Sequence, residues 1–212
     1  MSEQMPDLKV RDYIARLAGD APAPGGGSAA ALAGALAAAS VRMVGSFTVG
    51  KKKYAAVEDE ISARLEAIDE ACAEMLALTQ EDVVAFGAVG AAYGMPKGSD
   101  QEKQARAAAI QDALRQAAGV PLRLVEACAQ LSEHLLPLAQ KGNQNLISDV
   151  GVAAKLCQAA CECAWLNVEV NLQLIDDDAF VMAQRARLQG KLRDCQRACD
   201  DVWYRVGAKI TG

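Results

Sequence analysis

From residue 54 to about residue 93 the chain has no proline, and ten positions follow alternating steps of four and three. They are Ile61, Leu65, Ile68, Cys72, Met75, Thr79, Asp82, Phe86, Val89 and Tyr93. The spacing predicts one long helix with a single seam, and Asp82 sits where the seam calls for an apolar side chain. A short helix is predicted over residues 10–17. It is followed by the run GDAPAPGGG at 19–27, which cannot continue a helix. Ser28 then has the chemistry of an N-cap for an Ala-rich helix reaching about Val49, with Gly50 as its stop. This helix has no wide polar face and is expected at the centre of the fold.

Gly94, Pro96 and Gly98 mark a loop, and Ser99 with Glu102 three residues on is a capping-box signature. Pro121 and Pro137 suggest a kink or restart, so residues 101–140 read as one helix or two. After a break at Lys141, Gly142 and Asn143, a helix is predicted over 148–172 with Lys155, Gln158, Glu162, Glu169 and Gln173 on its solvated face. At about 100° per residue, Asp149 and Asn167 share a direction and Asn171 lies about 40° further round, on a face otherwise made of Ala153, Ala160 and Ala164. Asp176, Asp177 and Asp178 suit the positive end of a last helix reaching about Val206. The expectation is all-α: one domain over 1–212, a bundle of long helices around a buried Ala-rich helix.

Composition agrees with that expectation. Hydrophobic residues make up 52% but aromatics only 4%, so the core is built from small aliphatic side chains that allow close helix contact. A formal net charge of −5 and a pI near 5.0 argue against a nucleic-acid partner, which would call for a basic face. Seven cysteines in helical stretches describe reduced thiols and a cytoplasmic protein. The polar N-terminal stretch 1–10 does not read as a secretory signal, and the apolar run 28–41 meets Arg42 too soon to cross a bilayer, so no membrane partner is expected.

Asp82, Asp149, Asn143, Asn145, Asn167 and Asn171 are unusual polar residues for the interior of a bundle. Each could satisfy a helix end or a neighbouring amide, but together they suggest a pocket. Gly25, Gly26 and Gly27 could bring backbone N–H groups against a ligand or simply open a helix. The triplet lacks the dinucleotide and phosphate-loop spacings. Lys51, Lys52 and Lys53 form a solvated turn or a seat for carboxylates. Cys157 with Cys161 and Cys195 with Cys199 are each four apart, which invites a metal test, but with the lone His134 and no ligand-type loops the thiols read as packing and no metal is expected.

Six segments in order, PGGGS (24–28), GKKKY (50–54), EDVVAF (81–86), YGMPK (93–97), KGNQNLISDVGVAA (141–154) and LNVEVN (166–171), resemble the cyclodeaminase/cyclohydrolase family of one-carbon metabolism. That resemblance implies an all-α subunit that dimerises, with a folate bound near the subunit interface and no cofactor. It further implies hydrolysis of 5,10-methenyltetrahydrofolate to 10-formyltetrahydrofolate, or formimidoyltetrahydrofolate cyclodeamination. A non-catalytic folate-binding dimer is the alternative of another class. The substrate's chemistry matches the residue types: a carboxylate for the amidinium cation, amides for the pterin, lysines for the anionic tail. On this reading Asp82 is the candidate base, and Asp149 returns a proton or holds the pterin. Asn143, Asn145, Asn167 and Asn171, with Ser148, bind the pterin; Lys51, Lys52 and Lys53 meet the tail; and Gly25, Gly26, Gly27 and Ser28 lie against the ligand.

Overall fold

The computed structural model describes residues 4–212; residues 1–3, the start of the polar N-terminal stretch, lie outside them. Six α-helices follow in chain order: α1 (Val10–Leu17), α2 (Gly26–Ser46), α3 (Glu58–Tyr93), α4 (Asp100–Lys141), α5 (Ile147–Leu172) and α6 (Asp178–Thr211). Among the described residues there is no strand, so the all-α expectation holds.

The Ala-rich α2 is the central element. By length and composition it could span a bilayer, yet 56% of its apolar window is buried within the fold. Its small residues set the distance to its neighbours. A Cβ on Gly45 would lie 2.2 Å from Leu65 Cδ2, so α3 can approach this closely only because the position carries no side chain. The neighbours of α2 glycines also fix the topology. Going up α2, Gly27, Gly34 and Gly45 face Asp82, Met75 and Leu65 of α3 in descending order, while Gly26 and Gly34 face Asn167 and Ala160 of α5. Helix α2 therefore runs antiparallel to both, and α4 and α6 complete a core that includes Val41, Ile68, Met75, Leu124, Leu131, Val150 and Val202.

Three local expectations change. The predicted 54–93 helix starts at Glu58, after a 3₁₀ turn over Lys52–Val57. Residues 100–141 form one helix, with Pro121 and Pro137 inside it. Pro121 is buried, and packing along both flanks holds the helix through the lost N–H. Its start is the predicted capping box: Ser99 Oγ accepts from Glu102 N at 3.2 Å and Glu102 Oε2 accepts from Ser99 N at 2.8 Å. Finally, Ser28 is not an N-cap. The cap is Gly25 in extended conformation, and Ser28 lies buried in the first turn of α2.

Candidate functional site

Gly25 has no side chain to cap α2, so the first amides of that helix need acceptors from elsewhere. One comes from α3: Ser28 N donates to Asp82 Oδ2 at 2.9 Å. The side chain of Ser28 turns the other way and shares a hydrogen bond with Tyr13 Oη of α1 at 2.9 Å, both groups being buried. Asp82 thus reaches the positive end of α2, which favours its charged form. Burial opposes this more strongly, and the Asp82 carboxyl is held above the usual carboxylate range, with the Ser28 amide pulling the other way.

The carboxylate opens onto a cavity of about 230 Å³ lined by Gly25, Gly26 and Gly27 on one side and Asn167 and Asn171 on another. Phe86, Val89, Leu114, Val170 and Leu174 supply apolar walls. Asn167 Nδ2 donates to Cys163 O and Asn171 Nδ2 to Asn167 O, each at 2.8 Å. These bonds use one N–H of each amide and leave the Oδ1 acceptors of both residues for other donors. At Gly27 an added Cβ would fall 2.1 Å from Asp82 Oδ1, so this position is glycine because the carboxylate occupies the space.

The remaining predicted residues lie elsewhere. Lys51, Lys52 and Lys53 follow the C-terminal end of α2 and are exposed. Asn143 is committed to holding that end together. Its Nδ2 donates to Phe47 O at 3.1 Å, and its Oδ1 accepts from Asn145 N at 3.1 Å and from Tyr54 Oη at 3.3 Å. Its own N–H goes to Thr48 Oγ1 at 2.9 Å. Asn145 and Ser148 are exposed, and Asp149 is half-buried in the first turn of α5. With a rise of about 1.5 Å per residue, the two groups sit about 30 Å apart along α2. Within one chain, therefore, Asp82, Asn167, Asn171 and Gly25, Gly26, Gly27 with Ser28 come together, and the lysines, Asn143, Asn145, Ser148 and Asp149 do not join them.

Three participants carried no sequence signal. Tyr13 lies on a short helix whose other large apolar residues, Val10, Ile14 and Leu17, are exposed. Leu114 and Leu174 are apolar residues among many, and only the fold turns them toward Asp82.

Comparison with known proteins follows the same outline. The profile of the formiminotransferase-cyclodeaminase family matches residues 9–190. The chain is 41% identical over 201 residues to a methenyltetrahydrofolate cyclohydrolase of Methylorubrum extorquens, covering 95% of this chain and 97% of that protein. It is 35% identical over 190 residues to the formimidoyltransferase-cyclodeaminase of Rattus norvegicus, covering 90% of this chain but 35% of the rat protein. The crystal structure of a formiminotetrahydrofolate cyclodeaminase from Thermotoga maritima superposes with a TM-score of 0.77 at 34% identity, covering 94% and 93% of the two chains.

Proposed function

Because the chain belongs to the formiminotransferase-cyclodeaminase family, we propose that it hydrolyses 5,10-methenyltetrahydrofolate to 10-formyltetrahydrofolate, with Asp82 as the general base. The observation that carries this reading is a desolvated carboxylate at the floor of a cavity whose other polar groups are amides and backbone N–H groups. Identity to a cyclohydrolase along nearly the whole of both chains supports the same choice. Asp82 faces the amidinium cation and takes a proton from the attacking water. The water oxygen bonds to the bridging carbon, the bond from that carbon to N5 breaks, and N5 regains a proton while the formyl group stays on N10. The reaction consumes water and calls for no cofactor. The Oδ1 atoms of Asn167 and Asn171 suit the pterin's N–H donors, and the apolar walls suit its ring faces.

The cavity is smaller than the roughly 300 Å³ at which pockets for drug-sized ligands begin, so it takes the ring end of the folate and leaves the tail outside. We infer that a second copy of the chain completes the site. An antiparallel pairing would carry the partner subunit's Lys51, Lys52 and Lys53 toward the tail, and the partner's Asp149 toward the pterin. The exposed apolar side chains of Leu36 and Met43 on α2 and of Phe47 just after it support such a pairing. Seven free thiols support a reducing, cytoplasmic setting.

Cyclodeamination of formimidoyltetrahydrofolate is the second reading, favoured by the Thermotoga maritima structure. It uses the same carboxylate beside an amidine-like carbon and releases ammonia. Stopped-flow loss of the methenyl absorption band, compared with the uncatalysed rate in the same buffer, separates the two. Acceleration abolished by Asp82→Ala supports hydrolysis; no acceleration, with ammonia released from formimidoyltetrahydrofolate, supports the second reading.

A further inference from the structure

Within the core, α4, α5 and α6 bring five of the seven cysteines together. Cys157 and Cys161 are one turn apart on α5, Cys195 and Cys199 one turn apart on α6, and Cys128 comes from α4. All five are fully buried. The Sγ atoms of Cys157, Cys195 and Cys199 lie within 4.8 Å of one another, and the Cys157 and Cys195 sulfurs are 4.0 Å apart. Sulfur triangles with edges of 4.0 to 4.8 Å have their centres about 2.3 to 2.8 Å from the corners, close to a metal–thiolate bond length of about 2.3 Å.

We propose that Cys157, Cys195 and Cys199 form a trigonal thiolate site for one Cu(I) ion. A soft, monovalent d¹⁰ cation is the match for a set of three sulfur ligands with no imidazole or carboxylate among them. Zn(II) prefers a fourth ligand and a tetrahedron. On binding, each ligating thiol releases its proton to solvent and no electron is transferred. The Cys128 carbonyl oxygen now accepts from Cys157 Sγ at 3.3 Å and Cys195 Sγ at 3.7 Å, and binding exchanges these two bonds for metal–sulfur bonds.

The test is anaerobic loading of the reduced full-length protein with Cu(I), once in the folded state and once during refolding, followed by desalting against a Cu(I) chelator. One retained ion per chain by either route, with a three-sulfur shell in X-ray absorption, is the expected result. Retention should survive Cys163→Ser, the exposed thiol, and be lost in Cys195→Ala. Because Cys195→Ala could impair folding, its helix content is measured by circular dichroism, and Cys199→Ala serves as the second variant. No retained ion by either route overturns the proposal. So does retention that depends on Cys163, or a chain that holds Zn(II) in a four-sulfur shell and releases Cu(I).

Discussion

The backbone N–H of Ser28 points at Asp82 Oδ2 from 2.9 Å, so the side chain of one helix caps another that has no capping side chain of its own. This single bond ties the proposed base to the architecture. It places the carboxylate against the glycine turn and orients it toward the cavity. It also offsets part of the cost of burying a charge, though not all of it, since the Asp82 carboxyl stays above its ordinary range.

Asp82→Asn keeps an oxygen for the Ser28 N–H and removes the charge. Turnover of methenyltetrahydrofolate is expected to fall by about 10²–10⁴, the usual contribution of a general base. The folded-state pKa of Asp82 is raised, so its stabilising contribution is complete below the unfolded value of 3.8 and is lost as pH rises through the folded value. At neutral pH the charge therefore costs stability, and the Asn variant should melt no lower than the parent. A thermal melt beside the absorbance assay checks both, and a variant that melts far lower would make the activity loss structural.

The same shift fixes a pH dependence. The acidic limb of kcat/KM should have its midpoint above 3.8, activity falling as Asp82 is protonated. The limb should vanish from the residual activity of Asp82→Asn. A pH profile of both proteins measures this.

Gly27→Ala tests the glycine turn. The new Cβ would meet Asp82 Oδ1 at 2.1 Å, and a carboxylate at the end of a side chain gives way more easily than the helix. The stability loss should stay within about 1–3 kcal/mol, while activity falls nearly as far as in Asp82→Asn because the base has been turned out of place. Comparing denaturant midpoints with kcat distinguishes a displaced base from a damaged fold.

Much of this was legible in the sequence. The four-three spacing isolated Asp82, and the Ser99 to Glu102 pair marked the start of α4. Ser28 was misread as a cap because local chemistry cannot see a carboxylate arriving from another helix. The angular argument put Asp149 and Asn167 on one face. Angle carries no distance, however: 18 residues of helix separate them by about 27 Å, so a shared face did not make a shared pocket. Asn143 shows the same limit, because its amide is used by Phe47, Tyr54 and Asn145 rather than left for a ligand.

That bonding makes Asn143→Ala a stability variant. Three side-chain hydrogen bonds joining the end of α2, the 3₁₀ turn at Tyr54 and the turn before α5 disappear together. A loss of about 1–3 kcal/mol is expected, measured by chemical denaturation.

The separation of Asp82 from Lys51, Lys52 and Lys53 leads to a test of the paired site. If the partner subunit's lysines serve each Asp82, a protein lacking all three lysines and Asp82→Asn are each poorly active alone. Mixed and reassociated, they form heterodimers in which one site carries both defects and the other carries none. With random pairing half the dimers are mixed, and half of their sites are intact, so activity should recover to about a quarter of the parent's. If each chain used its own lysines, every site in a mixed dimer would keep one defect and mixing would restore nothing. Turnover measured before and after reassociation, with size-exclusion chromatography to follow the dimer, decides between the two arrangements.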